Sequence, residues 1–306
     1  MSSRIKVVVI GDVILDEFQY GKKLGVSAET PTVVAERGKR EQFWGGAALV
    51  TRHLQAMGVP FVGLTMDSMN RWISLNTIKC VDYHGWSITT KSRYFVDDYK
   101  MVQYDDLNKG RHDEKSRNDF LFHVKRFVDG TAHKPDIVVV SDNRHGVIDE
   151  SIARELVRLQ DENNFKLFVD SQFSQSEPNH NWYRGCHTLF MNEKEYYAWI
   201  PGSLEELSKH WNCNIIVKLG SEGCMAYIDG KKYRSRGFIP KVIDTCGAGD
   251  AFMAAYIASD SETCESKLEN ANRYAAWSCE YRGTWTPDQE RYELWKERLE
   301  REKAIT

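Results

Sequence analysis

The stretch DTCGAGDAF, Asp244 to Phe252, runs from a polar segment through a Gly-Ala-Gly turn into the apolar run Ala251-Phe252-Met253-Ala254-Ala255-Tyr256-Ile257. It reads as a strand end, a turn and the start of a buried helix. Glycines at 247 and 249 leave no Cβ in the way, so backbone N–H groups can turn inward. The positive end of the following helix adds to them, which makes the turn a candidate anion cradle. Asp250 stands at its rim, where a base is useful if the anion is a phosphate in transfer. The plainer reading is a junction with an acid in the first helical turn, which the helix dipole favours in any case.

Working outward, short apolar runs rich in β-branched residues recur at Ile5–Ile10, Ile137–Val140, Leu167–Val169, Leu189–Met191 and Ile215–Val217. Continuous runs of this kind are how strands buried on both faces of a parallel sheet read. Amphipathic stretches such as Asp149–Asn163 and Leu204–His210 lie between them, and the alternation predicts an α/β fold with a mainly parallel sheet. Each run ends in a polar residue: Asp12, Ser141-Asp142, Asp170, Asn192 and Lys218. Open α/β sheets bind ligands outside the carboxyl ends of their strands, so these ends are expected to floor a site. Phe18–Trp44 and Thr89–Asp106 instead mix apolar and polar residues in short alternations. They predict half-exposed antiparallel strands, a small second sheet over the cleft, with two ordinary surface hairpins as the plainer reading. Pro287–Lys303, with Tyr292, Leu294, Trp295 and Leu299 among charged residues, predicts a solvated helix docked by an apolar stripe.

The 306 residues can bury one large core, and no linker or internal repeat divides them, so one domain over 1–306 is expected. A net charge of −3 with interspersed signs points to neither nucleic acid nor a membrane surface as partner. The first apolar run stops at Gly11-Asp12, too short for a signal peptide or a span. Seven scattered cysteines without a C-x-x-C pair argue against a zinc site or a disulfide framework and for a reducing cytoplasm. No P-loop and no G-x-S-x-G elbow occurs, and Gly247-x-Gly249 lacks the third glycine and the later acid of a dinucleotide fingerprint.

Four further constellations can carry chemistry. Asp12 and Asp16 flank an apolar triplet after the first strand; paired carboxylates accept from sugar hydroxyls, although a turn cap and a solvated acid read equally simply. Gly45-Gly46 precedes a small-residue helix start, which suits either close approach to a ligand or close helix packing. Asn192 and Glu195 offer hard oxygens for magnesium through its waters, or form an N-cap with its Glu three residues on. Lys218, Gly220 and Gly223 form a glycine-flanked turn that suits a nucleotide pocket or a plain hairpin.

Taken in order, these pieces resemble the ribokinase-like sugar kinases, the phosphofructokinase B family, over nearly the whole chain. The D-T-x-G-A-G-D turn at Asp244–Asp250 is the strongest match. Gly45-Gly46, the N-x-x-E at Asn192 and Glu195, and the A-N-x-x-A-A run Ala271–Ala276 accompany it. Within the family, GDVILDEFQYG (Gly11 to Gly21), SAETPTVV (Ser27 to Val34), FWGGAALV (Phe43 to Val50), TTKSR (Thr89 to Arg93), VVSD (Val139 to Asp142), WYRG (Trp182 to Gly185) and YRGT (Tyr281 to Thr284) look like the domain that phosphorylates D-glycero-D-manno-heptose 7-phosphate at its anomeric position, a step in surface-polysaccharide precursor synthesis. The resemblance implies a three-layer fold with a β-sheet lid, ATP and Mg²⁺ as cofactors, and a homodimer through the lid.

The resemblance also implies residue roles. Asp250 is then the base, and the Gly247, Ala248 and Gly249 amides are the anion hole. Asp12, Asp16, Gly45 and Gly46 bind sugar hydroxyls. Asn192 and Glu195 organise Mg²⁺ and the ATP phosphates, while Lys218, Gly220, Gly223 and Asn272 lie along the nucleotide. Lys91, Arg93 and Arg144 are the candidate cations for a distal phosphate. The chain departs from the subfamily at several points. Asp170-Ser171-Gln172 stands in place of D-P-K, and His145 in place of a frequent lysine. Leu64-Thr65-Met66-Asp67-Ser68 replaces an acidic G-D-D stretch, and Cys246 replaces the commoner Thr. Cys246 is a small-residue substitution or, beside a helix N-terminus, a reactive thiol. No nucleotidyltransferase domain of the kind that often follows this kinase is expected. The alternatives are a kinase of the same fold for another sugar, or a non-catalytic sugar- or nucleotide-binding relative.

Overall fold

The continuous apolar runs are strands, and the polar residues that end them lie side by side. Strand β1 (Val7–Gly11) is buried throughout. The chain leaves the core as β2 (Val13–Val26), returns as β3 (Val33–Gly46), and continues into helix α1 (Ala47–Ala56) and strand β4 (Phe61–Met66). Strands β5 (Ile78–Val81), β6 (Thr89–Val96) and β7 (Tyr99–Asp106) precede α2 (Glu114–Val128). Next come β8 (Ile137–Asp142), α3 (Glu150–Asn163), β9 (Lys166–Ser171) and β10 (Thr188–Asn192). They are followed by α4 (Glu193–Trp199), α5 (Leu204–Trp211), β11 (Asn214–Lys218) and the hairpin β12 (Cys224–Ile228) and β13 (Lys231–Ser235). Helices α6 (Ala248–Ala258), α7 (Cys264–Ser278) and α8 (Gln289–Ile305) complete the order. This computed structural model describes residues 6–66, 78–81, 86–107, 112–129, 134–172, 179–199, 202–238, 241–261 and 263–305. Asp67 and Ser68, part of the replaced acidic stretch, lie outside them.

The main sheet has nine strands in the order β13-β12-β11-β10-β9-β8-β1-β4-β5. From β11 to β5 all neighbours are parallel, and only the β12–β13 hairpin adds antiparallel pairs. Alternate strand residues serve two cores. Val8, Ile10, Val138, Val140, Leu167 and Val169 pack with Phe120 of α2, Leu156 of α3 and Leu207 of α5. Val7, Val9, Val139 and Phe168 pack with Leu54 of α1, Phe252 of α6 and Leu268 of α7. The result is the expected three-layer α/β arrangement. Each fully buried Val or Leu contributes roughly 1.5–3 kcal/mol, and because both faces are covered the strands read as unbroken apolar runs. Helix ends are set locally. Asp149 accepts from Ile152 N at 2.9 Å to start α3, and Asn164 closes it at φ +56°. Ser203 and Glu206 form a reciprocal cap on α5.

The two irregular segments do form a separate sheet, in the order β3-β2-β6-β7. It differs from the expectation in two ways. Its first hairpin starts at Val13 and ends at Gly46, so it grows directly out of the end of β1 and runs straight into α1. Its two antiparallel hairpins are joined by a parallel pair, β2 with β6, because both strands leave the carboxyl edge of the main sheet in the same direction. The segment before the Gly-Ala-Gly turn is not a strand. Ile243 N and Asp244 N both donate to the Cys279 carbonyl, at 2.8 and 3.2 Å, and the Val242 and Ile243 side chains face solvent. On α8, Tyr292 and Trp295 pack on Tyr274, whereas Leu294 is exposed, so its stripe is aromatic. Among the described residues, no helix is long and apolar enough to cross a membrane.

Candidate active site

The ends of β8 to β11 and the N-terminus of α6 enclose a cavity of about 460 Å³. Ser141, Asp170, Asn192 and Lys218 line it from the strand ends. A 3-10 turn supplies Gly220 and Ser221 on one side, with Gly223 next to it. Phe238, Val242, Ala275 and Ala276 form an apolar wall. The register explains the clustering: Ser141 lies beside Asp170, Asp170 beside Phe190, and Asn192 beside Lys218.

The turn before α6 is held from both sides. Gly247 caps the helix at φ +80°, and a Cβ there would stand 2.5 Å from Leu49 Cδ2. Asp244 accepts from Cys246 N at 3.0 Å and from Gly283 N at 2.9 Å, which ties the turn to the Y-R-G-T segment. Ala248 N donates to the Thr245 carbonyl at 3.3 Å. The other amides of the first helical turn have no carbonyl one turn back to bond. Gly247, Ala248, Gly249 and Asp250 all line the cavity, so N–H dipoles and the helix end converge there.

Asp250 is half-buried beside these amides. Burial and, next, the Asp170 charge push its carboxyl up to about 7, with Lys218 opposing them. Lys218 is ion-paired with Asp170. Burial opposes the charge on Lys218, but the neighbouring Asp170 carboxylate prevails and holds the ammonium above its ordinary range. Asn192 and Glu195 form a reciprocal cap: Asn192 N donates to Glu195 Oε2 at 2.7 Å, and Glu195 N to Asn192 Oδ1 at 2.9 Å. The plainer reading of this pair is therefore realised, yet both residues also line the cavity with hard oxygens. Such donors fit a magnesium ion held through its waters. Asn272 lines the same cavity and donates to Ser235 Oγ at 2.9 Å, which fixes the segment leading to Phe238.

The lid reaches this region at the end of β3. Gly46 has φ +61°, and a Cβ there would meet the Asp12 carbonyl at 2.3 Å and Asn143 Nδ2 at 2.8 Å. Asn143 in turn lines the cavity. Asp16 is buried and ion-paired with Arg93, and a Cβ on Gly45 would stand 3.4 Å from Asp16 Oδ2. Arg93 also donates to Gln103 at 3.1 Å and lies over the Phe18 ring at 5.4 Å. Lys91 sits beside Asp16 in the β2–β6 register. Cys246 is exposed, yet desolvation, then the Asp16 and Asp244 carboxylates, push its thiol up to about 12, which disfavours a reactive thiolate. The charges of Arg93 and Asp250 also act on that thiol.

None of the seven residues predicted for the sugar lines this cavity: Asp16, Gly45, Gly46, Lys91 and Arg93 belong to the lid, and Asp12 and Arg144 are engaged elsewhere. Asp12 is buried and accepts from His145 N and Val147 N, each at 3.0 Å. Its carboxylate therefore fastens the loop after β8, and burial with the nearby Asp142 charge raises its pKa. Arg144 has φ +64°, lies over the Trp182 ring at 5.1 Å, and faces a second cavity shared with Arg117 and Asp149. Conversely, Asp170, Asn143, Gln172, Thr245 and the apolar wall were not among the predicted site residues. The strand-end register already marked Asp170, and the A-N-x-x-A-A run contained Ala275 and Ala276. Phe238 carried no local signal.

A three-layer sheet, a separate lid and a helix-end cradle beside a carboxylate define a ribokinase-like kinase. Residues 114–291 match the model of the pfkB family carbohydrate kinases, and the chain belongs to that family. The fold resembles phosphofructokinase-2 from Escherichia coli, with a TM-score of 0.74 at 14% identity, covering 94% of this chain and 96% of that one. It also resembles Arabidopsis thaliana ribokinase, solved with ribose and ATP, with a TM-score of 0.68 at 17% identity, covering 94% and 97%. The protein named bifunctional protein HldE of Rhodopseudomonas palustris is 28% identical over 304 residues, 92% of this chain and 61% of that protein. That of Sulfurimonas denitrificans is 24% identical over 290 residues, 87% of this chain and 59% of that protein. The chain thus spans about three fifths of the length of these relatives.

Proposed function

We propose that this carbohydrate kinase transfers the γ-phosphoryl group of ATP to the anomeric hydroxyl of a sugar phosphate, D-glycero-D-manno-heptose 7-phosphate. The observation that carries the reading is the Asp250 carboxyl, raised to about 7, in the first turn of a helix whose N-terminus lines a cavity shared with Asn192, Glu195 and Lys218. Asp250 takes the hydroxyl proton. An anomeric hydroxyl is more acidic than an ordinary alcohol, so a carboxylate suffices. The Gly247 to Gly249 amides receive the negative oxygens, and positioning with charge stabilisation does the rest. Asn192 and Glu195 would hold magnesium through its waters, and its charge would neutralise the phosphates. Gly220, Gly223 and Asn272 lie along the nucleotide. Asp16, Gly45 and Gly46 meet the sugar, and Lys91 and Arg93 are the cations nearest to it from the lid. Asp12 acts on the sugar side through the loop that it fastens, and Arg144, which faces the second cavity, is given no role on the sugar.

The heptose phosphate follows from the segments that look like that subfamily, from Gly11-Asp12 to the terminal Y-R-G-T. We extend the reading to a cytoplasmic homodimer joined through the lid. It is supported by the free cysteines among the described residues and by apolar side chains that the lid exposes. The test is an ADP-release screen over heptoses, hexoses and pentoses, each with and without a terminal phosphate. Turnover is expected on the heptose 7-phosphate, and Asp250→Asn is expected to lose at least about a hundredfold. ATP binding without ADP release on any sugar would establish a non-catalytic relative instead. A near-normal Asp250→Asn rate removes that residue from the reaction.

A further inference from the structure

Lys218 closes β11 and lines the cavity. Among the described residues it is the one Lys or Arg lining that cavity, against three carboxylates, Asp170, Glu195 and Asp250. A nucleoside triphosphate brings further negative charge into the same space. Lys218 is engaged by Asp170, and both side chains are largely covered, at 15% and 14% exposure. The ammonium also lies close to the anion cradle: a Cβ on Gly249 would stand 3.1 Å from Lys218 Nζ. Glycine at 249 therefore leaves the room through which this cation meets the first turn of α6. A cation serving only as a partner for Asp170 needs no such opening toward the helix end.

We propose that Lys218 is a catalytic cation that passes from Asp170 to the migrating phosphoryl group, a role that rests on the kinase reading above. In the step, the O–H bond of the acceptor hydroxyl breaks and its proton goes to Asp250. The acceptor oxygen bonds to the γ-phosphorus. The bond from that phosphorus to the bridging β-phosphate oxygen breaks, and its electron pair leaves with ADP. Lys218 stays protonated throughout. Its ammonium exchanges the Asp170 carboxylate for the phosphoryl oxygens, whose charge is greatest when the group lies between donor and acceptor. Asp170 is the resting counter-ion that keeps the ammonium charged and aimed. Losing its partner is costly for a covered carboxylate, so the exchange is favourable only when a phosphoryl group is present to drive it.

The test uses two readouts. Lys218→Met is expected to lose at least about a hundredfold in kcat while KM for ATP moves within about threefold, and Lys218→Arg to recover part of the rate. Calorimetry then compares ADP alone with ADP plus aluminium fluoride, a mimic of the migrating group, with magnesium and sugar present. The wild-type chain is expected to bind the fluoride complex at least about tenfold more tightly than ADP, and Lys218→Met to lose that gain. Equal tightening in both chains overturns the proposal and leaves Lys218 as a structural partner of Asp170. No tightening in the wild type overturns it too. Because Lys218→Met strands Asp170, the double variant Asp170→Asn/Lys218→Met is measured as well. The same loss there supports the role, and a retained gain refutes it. If the wild type releases no ADP with any sugar, the kinase reading fails separately, and the calorimetric comparison still decides whether Lys218 meets a phosphoryl mimic.

Discussion

At the carboxyl ends of the main sheet, charges sit among fixed partners. Asp142 accepts from Ser171 Oγ at 2.9 Å, Asn179 Nδ2 at 2.6 Å and Tyr183 OH at 2.8 Å. Asp12 accepts from the backbone amides of His145 and Val147. In the lid, by contrast, β7 is exposed along all eight of its residues. The difference separates two tasks. Charge transfer profits from dipoles that do not reorganise, so the floor is built beforehand. An edge strand with uncovered apolar side chains is under no such demand and leaves a surface open to docking.

Stability offers the largest way to break this contrast. Asp142, Ser171, Asn179 and Tyr183 are each at most 2% exposed, so no water can replace the carboxylate. Asp142→Ala leaves three side-chain donors without their acceptor and is expected to cost about 3–5 kcal/mol in urea unfolding. Tyr104→Ser on the lid, where Tyr104 is 64% exposed, should stay within about 0.5 kcal/mol. Similar losses for the two variants would show that the floor is no more rigidly built than the lid.

The pH dependence sharpens the same comparison at the boundary between floor and cavity. The Asp250 carboxyl is raised to about 7, and a base works only when deprotonated. kcat/KM should therefore rise about tenfold per pH unit below 7 and level off above it. A flat profile between pH 5 and 8 would mean that this carboxyl does not govern the rate. The same shift has a cost in stability. A carboxyl raised in the folded chain is destabilising once the pH exceeds its unfolded value, because the folded state then resists ionisation. Asp250→Asn should therefore melt higher than the wild type at pH 8, by a few degrees, with the gap closing below about pH 4. No gap at pH 8 would place Asp250 in ordinary solvent.

Much of the floor was legible in the sequence because parallel strands buried on both faces leave continuous apolar runs, and the first polar residue after each run marks its end. The helix-end cradle was legible because glycines are tied to φ at Gly247. Three features were not. The Asp12 carboxylate turns to the amides of residues 145 and 147, contacts made across more than a hundred residues that no local pattern encodes. Arg144 lines the second cavity and has a left-handed backbone conformation, of which a non-glycine residue gives no warning. The polar segment at Asp244 read as a strand end, but the amides of Ile243 and Asp244 both go to the Cys279 carbonyl, a contact that no local pattern encodes.

The smallest expected effect on folding lies in the lid, where it decides the most about assembly. Tyr99, Tyr104, Met101 and Tyr94 are 72%, 64%, 44% and 40% exposed on two adjacent strands. Apolar side chains packed this closely on an edge are worth burying against a second copy, since each aromatic offers a large area at little entropic cost. Tyr99→Ser/Tyr104→Ser should leave the unfolding free energy within about 0.5 kcal/mol and shift the light-scattering mass from two chains to one. A wild-type chain that is already monomeric at high micromolar concentration ends the dimer proposal. A double variant that stays dimeric moves the interface away from β6 and β7. Either result leaves the floor untouched, because Asp250, Lys218 and Asp170 all lie on the main body of the fold.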